Sequence, residues 1–223
     1  MKHEYLWNEY INSIGSMQKY NTLLKWVVYC RAFPDGAGDQ AFTEKVDAKL
    51  VELYQWLDDS GFYTSPASTQ YHEAYKGGLC DHTLRVVNNI IALHNLDVFA
   101  GVDVASAVLV ALVHDWCKIG SYTSYQKNVK DASGNWVKET AFKYTNDPVI
   151  SLGHGVSSMY LASKWFSLSE EEALAIRWHM GAWRVVTTEC NELQHANENY
   201  PLVHMLQFAD QLAIVNYNSA NNL

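Results

Sequence analysis

The sequence predicts an all-α protein with one inserted β-hairpin. Three observations support this fold class. Apolar residues recur at helical spacing over most of the 223-residue chain, whereas a single segment, 121–147, changes to strand-like alternation. Apolar residues make up 48% of the chain, which is enough to bury a substantial core.

The first two predicted helices span about residues 4–30 and 41–59. The Pro/Gly-rich sequence FPDGAGD separates them. The second carries one apolar stripe, which consists of Phe42, Val46, Leu50, Leu53, Tyr54 and Leu57. We interpret residues 1–59 as a helical extension that packs on a main domain of residues 60–223, so that the chain forms one structural unit.

Two helices of different character follow the irregular segment 61–78. In the first, LCDHTLRVVNNIIAL, apolar residues including Leu79, Val86 and Ile90 share one face. The second, VDVASAVLVALVHDWCKIG, is almost wholly apolar and is predicted to end at Gly120. Because it is apolar around its whole circumference, we expect it to lie buried at the centre of the fold.

The segment 121–147 is predicted to form a β-hairpin between helices. In its second half, alternate positions, as on one face of a strand, are occupied by Trp136, Lys138, Thr140, Phe142 and Tyr144. The hairpin could serve as a lid or as an oligomer contact. Helical patterns then return over about 154–167, 169–180 and 201–217, the last beginning at Pro201, a favourable first-turn residue.

Composition limits the classes of partner and location. The net charge of −8 disfavours a broad nucleic-acid surface, because phosphate neutralisation needs clustered Lys and Arg. No run approaches the roughly 20 apolar residues that span a bilayer. The first residues lack the order of a secretory signal, and the four cysteines are widely scattered. We therefore expect a cytoplasmic protein with reduced thiols and no membrane association.

The sequence HDWCK carries the clearest chemical signal. His114 and Asp115 are predicted to lie in the middle of the wholly apolar helix. A buried carboxylate costs several kcal/mol unless it is paired or coordinates a metal. Adjacent helical residues point about 100° apart, so this imidazole and this carboxylate can approach one cation from two sides. Lys118, one turn after His114, is placed to meet a substrate phosphate, or else it is a charge favoured at a helix C-terminus.

The same anomaly recurs on other predicted helices. His82 lies near the start of a helix, His154 opens another, His179 ends a third, and Asp210 falls on the apolar face of the last. A single histidine of this kind is usually a hydrogen-bonded core residue. Six such residues on five predicted helices instead indicate one or two divalent transition-metal ions, because nitrogen and carboxylate ligands suit Fe, Mn, Ni, Zn or Co.

The order His82, His114–Asp115, Asp210 resembles that of HD-domain metal-dependent phosphohydrolases. The similar stretches are AYKGGLCDHTLRVV, LVHDWCKIG and AIRWHM, and SPASTQYHEAYKGGLCDHTL is similar to the approach to the first metal-binding His in bacterial and phage proteins of this kind. The resemblance covers about residues 60–215. It implies an HD-domain helical bundle with the metal at its centre.

The resemblance also implies roles for individual residues. His82, His114, Asp115 and Asp210 would ligate the first metal. In dinuclear members two further histidines ligate a second metal and the Asp of the HD pair bridges, and His154 and His179 fit these positions. Asp115 and Lys118 would be the catalytic residues, with Lys118 also binding substrate. For Arg184 and Trp183, substrate contact and a plain structural role as a solvated Arg and a packed Trp stay equally open.

We therefore expect a metal-dependent phosphohydrolase that attacks a phosphomonoester or phosphodiester with metal-activated water. The partner would be a small phosphorylated substrate such as a nucleotide. Two alternatives stay open: a di-iron oxygenase of the HD fold, and a degenerate HD module that binds a ligand or regulates. The aromatic N-terminal helices could also pack against a second copy of the chain in a homo-oligomer.

Overall fold

A computed structural model describes residues 15–36, 38–145, 152–183 and 185–220 of the chain. These residues form eight α-helices and one antiparallel β-hairpin, which confirms the predicted class of an all-α fold with an inserted hairpin. The helices are α1 (Ser16–Ala32), α2 (Gln40–Asp59), α3 (Gly78–His94), α4 (Val104–Val113), α5 (His154–Ser163), α6 (Glu170–Trp178), α7 (Cys190–Asn199) and α8 (Pro201–Ala220). The strands are β1 (Tyr122–Lys130) and β2 (Trp136–Tyr144).

Helix α4 forms the centre of the fold, as its all-round apolar sequence predicts. Every residue from Ala107 to Val113 is fully buried. The helix packs against α1, α3, α5, α6 and α8. The side chain of Asp103 caps its first turn by accepting a hydrogen bond from the backbone N–H of Ser106. Because α4 is enclosed on all sides, it rigidly supports the residues that follow its C-terminal end.

The described part of residues 1–59 is joined to this core by apolar packing and by buried hydrogen bonds. Tyr20 of α1 is fully buried, and its hydroxyl donates to the carbonyl oxygen of Leu112 at 2.9 Å. The same hydroxyl accepts from the indole N–H of Trp116 at 3.0 Å. The first predicted helix, 4–30, corresponds to α1 in its later part, and residues 1–14 lie outside the described residues.

The hairpin pairs Tyr122 with Tyr144 at its base and Lys130 with Trp136 near its tip. Asp131 closes the turn by accepting two backbone hydrogen bonds through one carboxylate oxygen, and Gly134 supplies the positive φ of 83° that the turn needs. Most residues of both strands are exposed. Residues 146–147 of the predicted hairpin segment lie outside the described residues.

Two helix boundaries differ from the prediction, and one helix was not predicted. Helix α4 ends at Val113, so the HD pair stands at its C-terminal end and not in its middle. A 3₁₀ turn, Trp116–Lys118, follows at once, because the chain turns at Asp115 and sends the indole of Trp116 into the core. Helix α5 ends at Ser163, about a turn early. Helix α7 was not predicted because its sequence, CNELQHANEN, is polar and buries only Leu193 and Ala196.

Among the described residues, no helix is both long enough and apolar enough to cross a bilayer.

Candidate metal centre

Five helices bring six chemically active side chains to one place beside the end of α4. Two of these side chains lie within helices, on α3 and α8, and the others stand at or directly after helix ends. All except the partly exposed His154 are buried. They are the six residues that the sequence nominates as ligands: His82, His114, Asp115, His154, His179 and Asp210.

The Asp115 carboxylate lies at the middle of this cluster, and its two oxygens face different imidazoles. Its Oδ2 atom is 3.4 Å from Nε2 of His114 and 3.6 Å from Nε2 of His82. Its Oδ1 atom is 2.9 Å from Nε2 of His154 and 3.7 Å from Nε2 of His179. A carboxylate in this arrangement can offer one oxygen to each of two cations.

Asp210 of α8 completes one side of the cluster. Its Oδ1 atom is 3.0 Å from Nε2 of His82 and 3.8 Å from Nε2 of His114. We call His82, His114, Asp210 and Oδ2 of Asp115 the first ligand set. The second ligand set consists of His154, His179 and Oδ1 of Asp115.

Helix ends fix the orientation of two imidazoles. Nδ1–H of His114 donates to the carbonyl oxygen of Ala111 at 2.8 Å, and Nδ1–H of His179 donates to that of Ile176 at 2.7 Å. Both carbonyls belong to the last turn of a helix, where carbonyl groups lack intrahelical partners. Each hydrogen bond therefore holds its ring so that Nε2 faces Asp115.

The cluster leaves buried polar atoms without hydrogen bonds, and this observation tests whether it suits a metal. Nε2 of His114 and Nε2 of His179 have no hydrogen-bond partner. Such atoms are costly in a protein interior, and in native structures they call for a specific explanation. Because His82, His114 and Asp115 offer ligand atoms that all lie within 4.8 Å of one another, these residues fit a bound divalent ion.

In the described protein, protons on two histidines of the cluster balance the negative charge of its carboxylates. Burial opposes the charged form of His82, but the hydrogen bond to Asp210 and the nearby carboxylate of Glu73 outweigh burial and raise its pKa to about 9. For His154 burial acts in the same direction, and Asp115 and Cys117 overcome it to raise the pKa to about 10. These positive charges neutralise carboxylates that would otherwise be buried without a counter-ion.

His179 differs from these two histidines. Burial, together with the neighbouring His114 and His154, lowers the pKa of His179 to about 3. It is therefore neutral at physiological pH and already in the state that a metal ligand requires.

Lys118 lies against the same carboxylate. Its Nζ atom is 2.6 Å from Oδ2 of Asp115, and its side chain is mostly buried. Burial opposes the charge on Asp115, but Lys118 and then His114 outweigh it and hold the pKa of Asp115 well below its ordinary value. The pKa of Asp210 is lowered as well, because the hydrogen bond and the charge of His82 outweigh burial.

Three residues beside the cluster were not nominated by the sequence. Glu73 is fully buried, and its Oε2 atom is 3.6 Å from Nδ1 of His82. Cys117 places its Sγ atom 3.1 Å from Nδ1 of His154. The half-buried ring of His72 lies 5.0 Å from that of His82. Glu73 and His72 precede His82 in an irregular segment, where no periodicity marks them, whereas Cys117 lies inside HDWCK.

Of the two residues predicted to contact substrate, Trp183 lies within the described residues and is not brought to the cluster. Trp183 follows α6 and is 70% exposed, with no contact to the six clustered residues seen in the described part of the chain. Arg184 lies outside the described residues.

Comparisons with protein-family models, with curated proteins and with solved structures give no match for this chain. The class of protein is therefore defined by the fold and the site alone. It is a helical protein with a buried histidine and carboxylate cluster that could hold a divalent metal ion.

Proposed function

We propose that this protein is a metal-dependent phosphohydrolase of the HD type, which hydrolyses a phosphomonoester or phosphodiester of a nucleotide or a related small molecule. One observation carries the proposal: Asp115 presents one oxygen to each of two ligand sets, and the facing Nε2 atoms of His114 and His179 have no hydrogen-bond partner. That arrangement is suited to one or two cations and is poorly suited to simple core packing.

The first ligand set would hold one ion through His82, His114, Asp115 and Asp210, and the second set would hold another through His154, His179 and Asp115. These nitrogen and oxygen donors suit Fe, Mn, Co, Ni or Zn. A bound ion supplies two kinds of chemistry, a lowered pKa of coordinated water and polarisation of a phosphoryl oxygen. The chain supplies fixed imidazole orientations in largely buried surroundings.

Lys118 has a role that follows from its present partner. Its ammonium group pairs with Oδ2 of Asp115, the oxygen that also belongs to the first ligand set. When Asp115 is neutralised by a ligated ion, Lys118 loses this partner and needs another anion. A substrate phosphate oxygen would be that anion, so Lys118 would bind substrate and stabilise the charge that builds on the phosphate in the transition state.

The first experiment is elemental analysis of the purified protein, followed by reconstitution with Mn, Ni, Zn or Co. We expect the loaded protein to hydrolyse bis(p-nitrophenyl) phosphate or p-nitrophenyl phosphate, and we expect chelation to abolish this activity. Nucleotides form the next set of substrates to screen. Hydrolysis that survives both chelation and replacement of Asp115 by alanine would contradict the proposal.

The second ligand set keeps a di-iron oxygenase as the other candidate. A carboxylate with one oxygen toward each ligand set is equally suited to a pair of iron ions. Near two irons per chain, together with substrate-dependent oxygen consumption, would favour oxygenation over hydrolysis. A degenerate binding module is disfavoured, because such a module would have lost some of the six clustered side chains.

A further inference from the structure

The three buried imidazoles of the cluster differ in how their Nδ1 atoms are held. His114 and His179 stand directly after helix ends and donate to free carbonyl oxygens of their own last turns. His82 lies within α3, where the preceding carbonyl groups are engaged in the helix. It therefore needs an acceptor from elsewhere to hold its ring.

The carboxylate of Glu73 lies opposite the Nδ1 atom of His82. Its side chain is fully buried, and its Oε2 atom lies 3.6 Å from Nδ1 of His82. Neither of these two buried atoms has a hydrogen-bond partner in the described protein, so each is free to serve the other. The second carboxylate oxygen, Oε1, accepts from Nε of Arg85 at 2.7 Å. Because Arg85 follows His82 on α3 by three residues, one carboxylate contacts two side chains of the same helix face.

The backbone around Glu73 is built to bring it there. Glu73 has a positive φ of 44°, a conformation that residues other than glycine rarely adopt. Its carbonyl oxygen accepts from the backbone N–H of Ala67 at 3.1 Å. A Cβ atom at Gly78 would lie 2.0 Å from that carbonyl oxygen, so only glycine allows α3 to begin so close to it. Strained backbone that the surroundings hold in place is typical of functional sites.

We propose that Glu73 is the positioning residue of the metal centre. It accepts Nδ1–H of His82 and thereby directs the Nε2 lone pair of this imidazole toward the space between Asp115 and Asp210. The inference rests on the proposed metal site and deepens it. A carboxylate that orients a ligating histidine in this way typically changes metal affinity by about 10- to 100-fold.

The substitution Glu73→Gln isolates this role. The carboxylate faces two donors, His82 and Arg85, with one oxygen for each. An amide of the same shape can accept from one of these donors with its oxygen, but it presents N–H groups to the second donor. Glu172→Gln is the matched control. Glu172 is also a buried glutamate paired with an arginine, Arg31, and no contact joins it to the cluster in the described residues.

The test uses Zn²⁺ and the full chain. We expect Glu73→Gln to weaken Zn²⁺ binding in competition titrations by about 10- to 100-fold, and Glu172→Gln to leave it unchanged. ¹⁵N NMR of the Zn²⁺-loaded wild-type protein should show the His82 proton on Nδ1. Unchanged Zn²⁺ affinity in Glu73→Gln, or a His82 proton on Nε2 in the loaded wild type, overturns the inference.

If Glu73→Gln fails to fold, the inference is tested with the NMR spectrum of the wild type and with Glu73→Asp, which keeps a carboxylate on a shorter side chain. Glu73→Asp should keep the His82 proton on Nδ1 and should bind Zn²⁺ more weakly than the wild type. Both readouts need no substrate. A failure to hydrolyse phosphoesters would therefore count against the proposed function and leave the positioning of His82 to be judged separately.

Discussion

Replacement of Asp115 by alanine should remove the response of the protein to metal. Asp115 offers one oxygen to each ligand set, so its loss takes a ligand from both. An ion that binds only the folded state contributes about 2.7 kcal/mol when present at about 100 times its Kd. In a chain of 223 residues each kcal/mol moves Tm by roughly 2–4 °C. We therefore expect the wild type to gain about 5–11 °C with Zn²⁺ or Mn²⁺.

The assay is thermal unfolding of chelator-treated protein with and without added metal. Asp115→Ala is itself expected to lower the free energy of unfolding by about 3–5 kcal/mol, because Lys118 and His154 lose a buried partner. The informative quantity is therefore the metal-induced change in Tm within each variant. Asp115→Asn, which keeps the shape of the side chain, separates loss of a ligand from loss of packing.

Lys118→Ala serves as the contrasting variant. Lys118 donates no ligand atom, so this variant should keep the full metal-induced change in Tm while its turnover falls. The reasoning is refuted if Asp115→Ala retains the metal-induced change of the wild type, since a residue central to both ligand sets cannot be dispensable. Loss of the metal-induced change in Tm in Lys118→Ala would equally contradict the assigned roles.

Other expectations concern stability and the second ligand set. Tyr20→Phe should lower the free energy of unfolding by about 1–3 kcal/mol in urea titrations, because the indole N–H of Trp116 loses its buried acceptor. Metal-free protein should lose stability as the pH rises from about 6.5 to about 10. The folded-state pKa values of His82 and His154, about 9 and about 10, exceed the ordinary value, so the unfolded chain releases these protons first. A urea midpoint of the metal-free protein that stays constant over this pH range would contradict the predicted loss of stability. Cys117→Ala should weaken the second of two Zn²⁺-binding steps by about tenfold and leave the first unchanged in calorimetry, because Cys117 lies 3.1 Å from His154.

The sequence predicts much of the cluster because its residues contrast with their surroundings. His82 and Asp210 are polar residues on apolar helical faces, and the HD pair interrupts an apolar run. Such contrast is visible without a structure, because burying a polar group needs a compensating partner. Glu73 has no such contrast. It lies among polar residues in an irregular loop, and only the close approach at Gly78 brings its side chain into the interior.

Helix boundaries were harder to predict for a related reason. The apolar pattern continues past Val113 into Trp116 and Ile119, so no change in periodicity marks the end of α4. The end is set by the cluster, since Asp115 must face the imidazoles while Trp116 enters the core beside Tyr20. Competition between two tertiary contacts at neighbouring residues leaves no local sequence signal.

The placement of ligands at helix ends links the fold to the chemistry. His114 and His179 each follow the last turn of a helix, where free carbonyl oxygens hold Nδ1–H and leave Nε2 available. An imidazole at a helix end therefore obtains its orientation from the backbone alone. One in the interior of a helix, as for His82, depends on a side chain from another segment. The fold meets this need with Glu73, whose carboxylate contacts both His82 and Arg85. Among the three buried imidazoles of the cluster, His82 is thus the one whose orientation a substitution at another residue, Glu73, should disturb.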